Sequence, residues 1–336
     1  MFQVFKKIKI IFFVFIVIFA LLFFLSRGRI YSKDELDYGL TFSKKQASGL
    51  GFNWQNVYLA SLDDLGVKKI RLAAYWDEIE PKNGEYDWKD LDWQIDQASQ
   101  RNAEIILAIG GRLPRWPECH FPSWSEQLAK ENRDEKILEY IDKTVNRYKD
   151  NNKIIAWQVE NEPFLSHFGN CPKLDRKLLD AEIALVKEID SRPVVVTDSG
   201  ELSTWVQAAR RADIFGTTMY LDTYSKNLKR YIHYPINPGF FRFKKNLVNL
   251  FASPDKWIVI ELQAEPWGPI SYQKMTEAEK AKTMNAQKFK EILEFSRQAG
   301  FKEFYLWGVE WWYWEKEANN NPVLWEEAKK LFIAPY

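Results

Sequence analysis

Eight short apolar runs, each closed by a polar or turn-forming residue, recur along this chain at an average spacing of about 38 residues. They end near Ser43 (YGLTFS), Tyr75 (KKIRLAAY), Gly110 (AEIILAIG), Glu162 (IIAWQVENEP), Ser199 (PVVVTDS), Tyr220 (DIFGTTMY), Glu261 (WIVIELQAEP) and Gly308 (FKEFYLWG). Between them lie polar stretches of helical period, among them LDWQIDQASQRN, residues 126–149, LDRKLLDAEIALVKEID and the run from Thr276 to Ala299. Alternation of strand and helix at that pitch predicts βα units, and eight of them predict an α/β fold, a closed (β/α)8 TIM barrel. A doubly wound open sheet is the competing arrangement, but no glycine-rich phosphate loop follows the first run.

Residues 1–30 differ in kind from residues 31–336. Ile10 to Leu25 is an unbroken apolar run, preceded by Lys6, Lys7 and Lys9 and followed by Arg27 and Arg29. The run closes in LLFFLSRGR without the small residues of a cleavage site, so an uncleaved N-terminal transmembrane helix over Ile8 to Ser26 is expected ahead of a cleaved signal. The leading lysines favour a cytoplasmic tip and an extracytoplasmic domain, membrane-anchored if the segment stays and secreted if it is cut. Residues 31–336 form one domain and carry 42 basic against 46 acidic side chains, a balance that makes nucleic acid an unsuitable partner.

The two cysteines fit an exported domain. Cys119 follows the third run and Cys171 the fourth, and neighbouring strands of a barrel put both loops at one end. A Cys119–Cys171 disulfide is expected, with two free thiols as the alternative. With no C-x-x-C spacing and three scattered histidines, no metal or other cofactor is expected.

Barrel enzymes build their sites from strand ends. Glu162 and Glu261 both lie there, and two carboxylates facing one mouth can cleave a glycosidic bond. Arg71, inside KKIRLAAYW, is a lone charge in an apolar strand and needs a carboxylate partner, for which Glu261 is the candidate. Aromatic residues make up 16% of the chain, and flat rings near a cleft can stack on sugars while others fill the core.

The order of RLAAYW, ENEP and IELQAEPWGP, together with WDEIEPKNGEYDW, resembles the retaining (β/α)8 glycosidases of clan A, over roughly residues 37–315. The resemblance implies that Glu162 is the general acid/base and Glu261 the nucleophile. It further implies that Asn161 holds a sugar 2-hydroxyl, that Arg71 and Tyr220 hold the nucleophile, and that Trp307 floors the sugar site. Glu265 is the rival nucleophile, Tyr224 competes with Tyr220, and Trp311, Trp312 and Trp314 crowd the loop of Trp307. Glu160 shares the parity of Glu162, with a strand-end hydrogen bond expected; Glu310 is expected to bind a hydroxyl or cap a turn. His120 and His167 read as solvated loop histidines. The stretch Leu221 to Ser253 is expected to hold the sixth barrel helix, with a membrane-contacting helix as the alternative.

The leading expectation is therefore a membrane-tethered retaining β-glycosidase acting on a β-linked carbohydrate without a cofactor. A non-catalytic glycan-binding barrel and a transglycosylase using the same residues are the alternatives.

Overall fold

A computed structural model describes residue 13 and residues 26–165, 168–173 and 175–332. The expected transmembrane segment Ile8 to Ser26 falls almost wholly outside the described residues, as does His167. Among the described residues no helix is long and apolar enough to cross a membrane.

Among the described residues ten strands form: β1 (Asp37–Thr41), β2 (Lys69–Ala73), β3 (Glu104–Ile109), β4 (Ile154–Val159), β5 (Val194–Asp198), β6 (Ile214–Met219), β7 (Asp222–Ser225), β8 (Arg230–His233), β9 (Lys256–Gln263) and β10 (Glu303–Trp307). Eight of them close a barrel in the order β1-β10-β9-β6-β5-β4-β3-β2, every pair parallel. The eight runs of the sequence are these eight strands. The remaining two, β7 and β8, pair antiparallel as a hairpin outside the barrel and occupy the first part of the segment 221–253.

The connecting helices include α1 (Trp54–Asp63), α2 (Lys89–Gln100), α3 (Lys130–Tyr148), α4 (Arg176–Ile189), α5 (Pro238–Val248), α6 (Ala286–Gln298), α7 (Val309–Ala318) and α8 (Val323–Phe332). Their starts are written locally. Asn53, Asp175, Asn237 and Asn285 each accept a hydrogen bond from a backbone N–H of the following turn, and Pro238 takes the first helical position of α5. The run expected as one helix from Thr276 to Ala299 is two, because Thr276 caps a single turn over Glu277–Lys280 and Asn285 starts α6 afresh.

Two apolar layers hold the fold. Ile106, Ala156, Val195, Ile258, Ile260 and Tyr305 fill the barrel interior, while Leu107, Trp157, Val196, Val259 and Leu262 face the helices. At the strand-entry end Lys69 and Lys256 both donate to the buried Glu303, which also accepts from Tyr305. Gly39 is what lets β1 pass this plug: a Cβ there would sit 2.7 Å from the Lys69 carbonyl oxygen and 2.9 Å from the Tyr305 ring.

Candidate active site

The alternation along β9 slips by one residue where it matters. Ile258 and Ile260 point inward and Val259 and Leu262 outward, so Glu261 faces inward next to another inward residue. Pairing with β6 and with β10 shifts register at the same place. Such a bulge re-aims a side chain.

Glu261 is thereby brought onto Arg71. The guanidinium is fully buried and fans out to three acceptors: Nη1 donates to Glu261 Oε1 at 2.8 Å, Nη2 to Asn161 Oδ1 at 2.7 Å and Nε to Gln158 Oε1 at 2.8 Å. The other oxygen, Glu261 Oε2, accepts from the Tyr220 hydroxyl at 3.0 Å. Both oxygens of Glu261 are held by donors, and one donor is a cation.

Glu162 is treated oppositely. It is 6% exposed, and no hydrogen bond among the described residues reaches its carboxyl. Burial raises its pKa well above the usual carboxylate range, and the charges of Glu261, Glu118 and Asp198 raise it further against the opposing pull of Arg112. The backbone fixes it in place: Glu162 N–H donates to Thr197 Oγ1 at 2.8 Å, and Asn161 N–H donates to the Arg112 carbonyl at 2.7 Å. The two carboxyls thus sit in opposite environments, Glu261 between two donors and Glu162 buried with none among the described residues.

A third carboxyl in the site was not foreseen. Glu118 lies on the loop after β3, 5% exposed, and accepts from Asn161 Nδ2 at 3.1 Å. Burial first, and then Glu261, pushes its pKa up to about 7. The loop is built to hold it: Leu113 N–H donates to the Glu118 carbonyl, Glu118 N–H to the Arg115 carbonyl, and the adjoining Cys119 is bonded to Cys171 with Cα atoms 5.2 Å apart. The Asn161 amide, expected to face a sugar hydroxyl, gives one of its two N–H groups to Glu118, and its oxygen accepts from Arg71.

The rival candidates lie elsewhere. Glu265 is not in the Glu261 environment; it accepts from Arg115 Nη1 at 2.6 Å and from Trp307 Nε1 at 2.8 Å. Arg115 Nη2 also donates to Glu310, which accepts from Ser43 N–H as well, so Glu310 caps the end of β1. The Arg115 guanidinium sits 4.1 Å from the Trp307 ring centroid, leaving Trp307 only 5% exposed. Tyr224 packs on Tyr231 in the hairpin rather than on Glu261. Trp311 and Trp312 are buried, donating to Glu315 and to the Ala264 carbonyl.

Glu160 turns away from the mouth and accepts from the backbone N–H groups of Gly111 and Arg112, because its left-handed φ of 59° breaks the strand parity. It lines a cavity with Glu182, Cys119 and Cys171 that reaches neither Glu162 nor Glu261. His120 is not solvated: it is 2% exposed, packs on Tyr75, and burial lowers its pKa to about 4. At the rim, Trp116, Phe168 and Trp267 stack in sequence toward Tyr220, an aromatic wall signalled only by PRWPE and AEPWGP on loops after strands.

The closed parallel barrel with Glu162 and Glu261 at its mouth is of the (β/α)8 type, and the chain is similar to glycoside hydrolases that share it. Residues 70–174, less than half of the chain, match the model of glycosyl hydrolase family 10. The chain is 28% identical over 168 residues to β-galactosidase BgaA of Clostridium cellulovorans, covering 44% of this chain and 25% of that protein. It is 25% identical over 139 residues to endo-1,4-β-xylanase 3 of Hypocrea jecorina, covering 41% of this chain and 35% of the xylanase. The chain thus spans about a quarter to a third of the length of these relatives. A glycosylated family 10 endo-β-1,4-xylanase from Gloeophyllum trabeum shares the fold, with a TM-score of 0.59 at 13% identity over 88% of this chain and 96% of the other.

Proposed function

We propose that this chain is a retaining β-glycosidase that cleaves O-glycosidic bonds of a β-linked glycan or oligosaccharide by double displacement. The observation that carries this reading is the contrast between the two carboxyls: Glu162 unpartnered and held protonated, Glu261 tied by Arg71 and Tyr220. In the first step a Glu261 oxygen attacks the anomeric carbon as the bond to the leaving oxygen breaks, and Glu162 gives that oxygen its proton. Glu162, now a base, takes a proton from water, which attacks the same carbon and releases Glu261. The Tyr220 hydroxyl and Arg71 orient the nucleophile, and the rim aromatics Trp116 and Trp267 contact the sugar. The relatives' names make β-1,4-xylan and β-galactosides the first substrates to try.

We also assign residues 1–30 as an uncleaved anchor with the barrel on the extracytoplasmic side. The apolar run and the disulfide both support that side of the membrane.

Trapping with a 2-fluoro glycoside of the accepted sugar, followed by peptide sequencing, tests the mechanism. The label is expected on Glu261, and the product is expected to keep its anomeric configuration by NMR. A label on Glu265, or an inverted product, overturns it.

A further inference from the structure

The chain enters the barrel at a defined place on its surface. Arg242 Nε, on α5, donates to the Ser26 carbonyl at 2.9 Å, and Asn246 Nδ2, one turn on, donates to the Arg27 carbonyl at 2.6 Å. Gly28 lies against the Arg242 side chain, which also donates to the Gln298 carbonyl, and Lys245 donates to the Gly300 carbonyl at 2.9 Å. The segment that leaves the apolar run Ile10–Leu25 is therefore fastened to α5, which is itself bonded to the end of α6 and the turn after it.

Directly beyond those contacts the surface is apolar where it should be polar. Leu247 is 36% exposed, Leu250 67% and Phe251 56%, three large side chains within five residues of Asn246. Arg27 and Arg29 lie on the segment held by α5, and Arg210 donates to the Phe251 carbonyl at 3.2 Å. Asp255 is the one acid between Arg242 and Lys256. Scattered exposed leucines need no explanation, but an apolar tip flanked by arginines at the exit of an apolar segment does.

We propose that Leu247, Leu250 and Phe251, with the arginines flanking them, form a foot that inserts into the interface of an anionic bilayer and seats the barrel on it. This rests on the reading of residues 1–30 as a membrane anchor. The place where the apolar run ends decides the occupant: a segment spanning the bilayer brings Ser26 to its surface, and Ser26 is bonded to the helix that carries the foot. Aromatic and aliphatic tips beside Lys and Arg are what the boundary between headgroups and acyl chains accepts.

The fold then fixes orientation. The foot lies between α5 and Lys256, the first residue of β9, whereas Glu261 lies near that strand's far end. Five residues of strand rise roughly 17 Å. The mouth consequently points away from the lipid, toward a glycan that is not itself in the membrane.

The test uses the full chain in vesicles of phosphatidylcholine and phosphatidylglycerol. Both native cysteines are bonded to each other, so Phe251→Cys and, in the hairpin turn at the mouth, Lys226→Cys can each carry one environment-sensitive fluorophore. The expected result is co-flotation with the vesicles, a blue-shifted label at 251 protected severalfold from iodide and quenched by lipid-borne spin labels, and a label at 226 open to iodide. Leu250→Glu in the Phe251→Cys background is expected to return that label to water without loss of flotation, since both positions are solvent-exposed in the fold. Flotation with the 251 label as wet as the 226 label overturns the foot and leaves the anchor standing. Failure to float overturns both.

Discussion

Replacing Arg71 by Met removes a fully buried charge while keeping a long apolar side chain. Glu261, 5% exposed, is left with the Tyr220 hydroxyl as its remaining donor. Breaking a buried pair from one side costs about 3–5 kcal/mol, because an uncompensated charge stays behind. Asn161 and Gln158 each lose a donor too, which at about 1 kcal/mol apiece places the single variant near the top of that range. The double variant Arg71→Met/Glu261→Gln carries no stranded charge and keeps only the lost neutral hydrogen bonds, about 2 kcal/mol. It is therefore expected to be more stable than Arg71→Met alone, by about 3 kcal/mol. For a urea dependence of about 3 kcal/mol per molar, that difference separates the midpoints by roughly 1 M. Unfolding followed by tryptophan fluorescence measures it, and since both variants are expected to be inactive, stability is the readout that discriminates. Destabilisations that simply add would show that Arg71 and Glu261 are not a coupled buried pair and that the proposed electrostatics of the site are wrong.

Glu118→Gln removes one of the charges that raise the Glu162 pKa, so the basic limb of the kcat/KM profile is expected to move to lower pH. The same variant has a stability signature. Glu118 goes from an ordinary 4.5 to about 7 on folding, so its neutral form stabilises the fold below pH 4.5 and that contribution is lost as pH rises through 7; the glutamine variant should be flatter over this window by about 3 kcal/mol. Serine at both Cys119 and Cys171 opens a link between residues 52 apart, and the chain-entropy estimate gives a loss of about 4 kcal/mol in thermal or urea unfolding.

The barrel was legible because its signal is local. Each strand is an apolar run with a turn residue behind it, and a one- or two-residue error at its end does not change the fold. Glu162 and Arg71 were legible for a related reason, a charge standing in or just after such a run. Glu261 reaches Arg71 although simple alternation from Ile258 and Ile260 would send it outward, since no sequence period announces a bulge. Glu118 and Arg115 could not be read, because their partners lie far along the chain: Asn161 for one, Glu265 and Glu310 for the other. The burial of His120 and the covering of Trp307 follow from that same loop folding inward. The hairpin of β7 and β8 escaped notice because its four-residue strands are half-exposed and carry no run long enough to mark them.

The backbone at Glu162 has a φ of 44°, and at Glu160 of 59°. For a residue with a side chain the left-handed region costs about 1–2 kcal/mol, so the fold tolerates these two positions rather than profiting from them. The Glu162 carboxyl adds to the burden, being buried beside Glu261 and Glu118. Glycine at 162 would relieve both the backbone and the charge crowding, and would end any chemistry that depends on that carboxyl. A search for heat-tolerant variants scored by folding alone would therefore drift toward dead molecules at this position. On the proposed mechanism only selection for turnover keeps a glutamate there, and the rest of the barrel carries the cost of its presence.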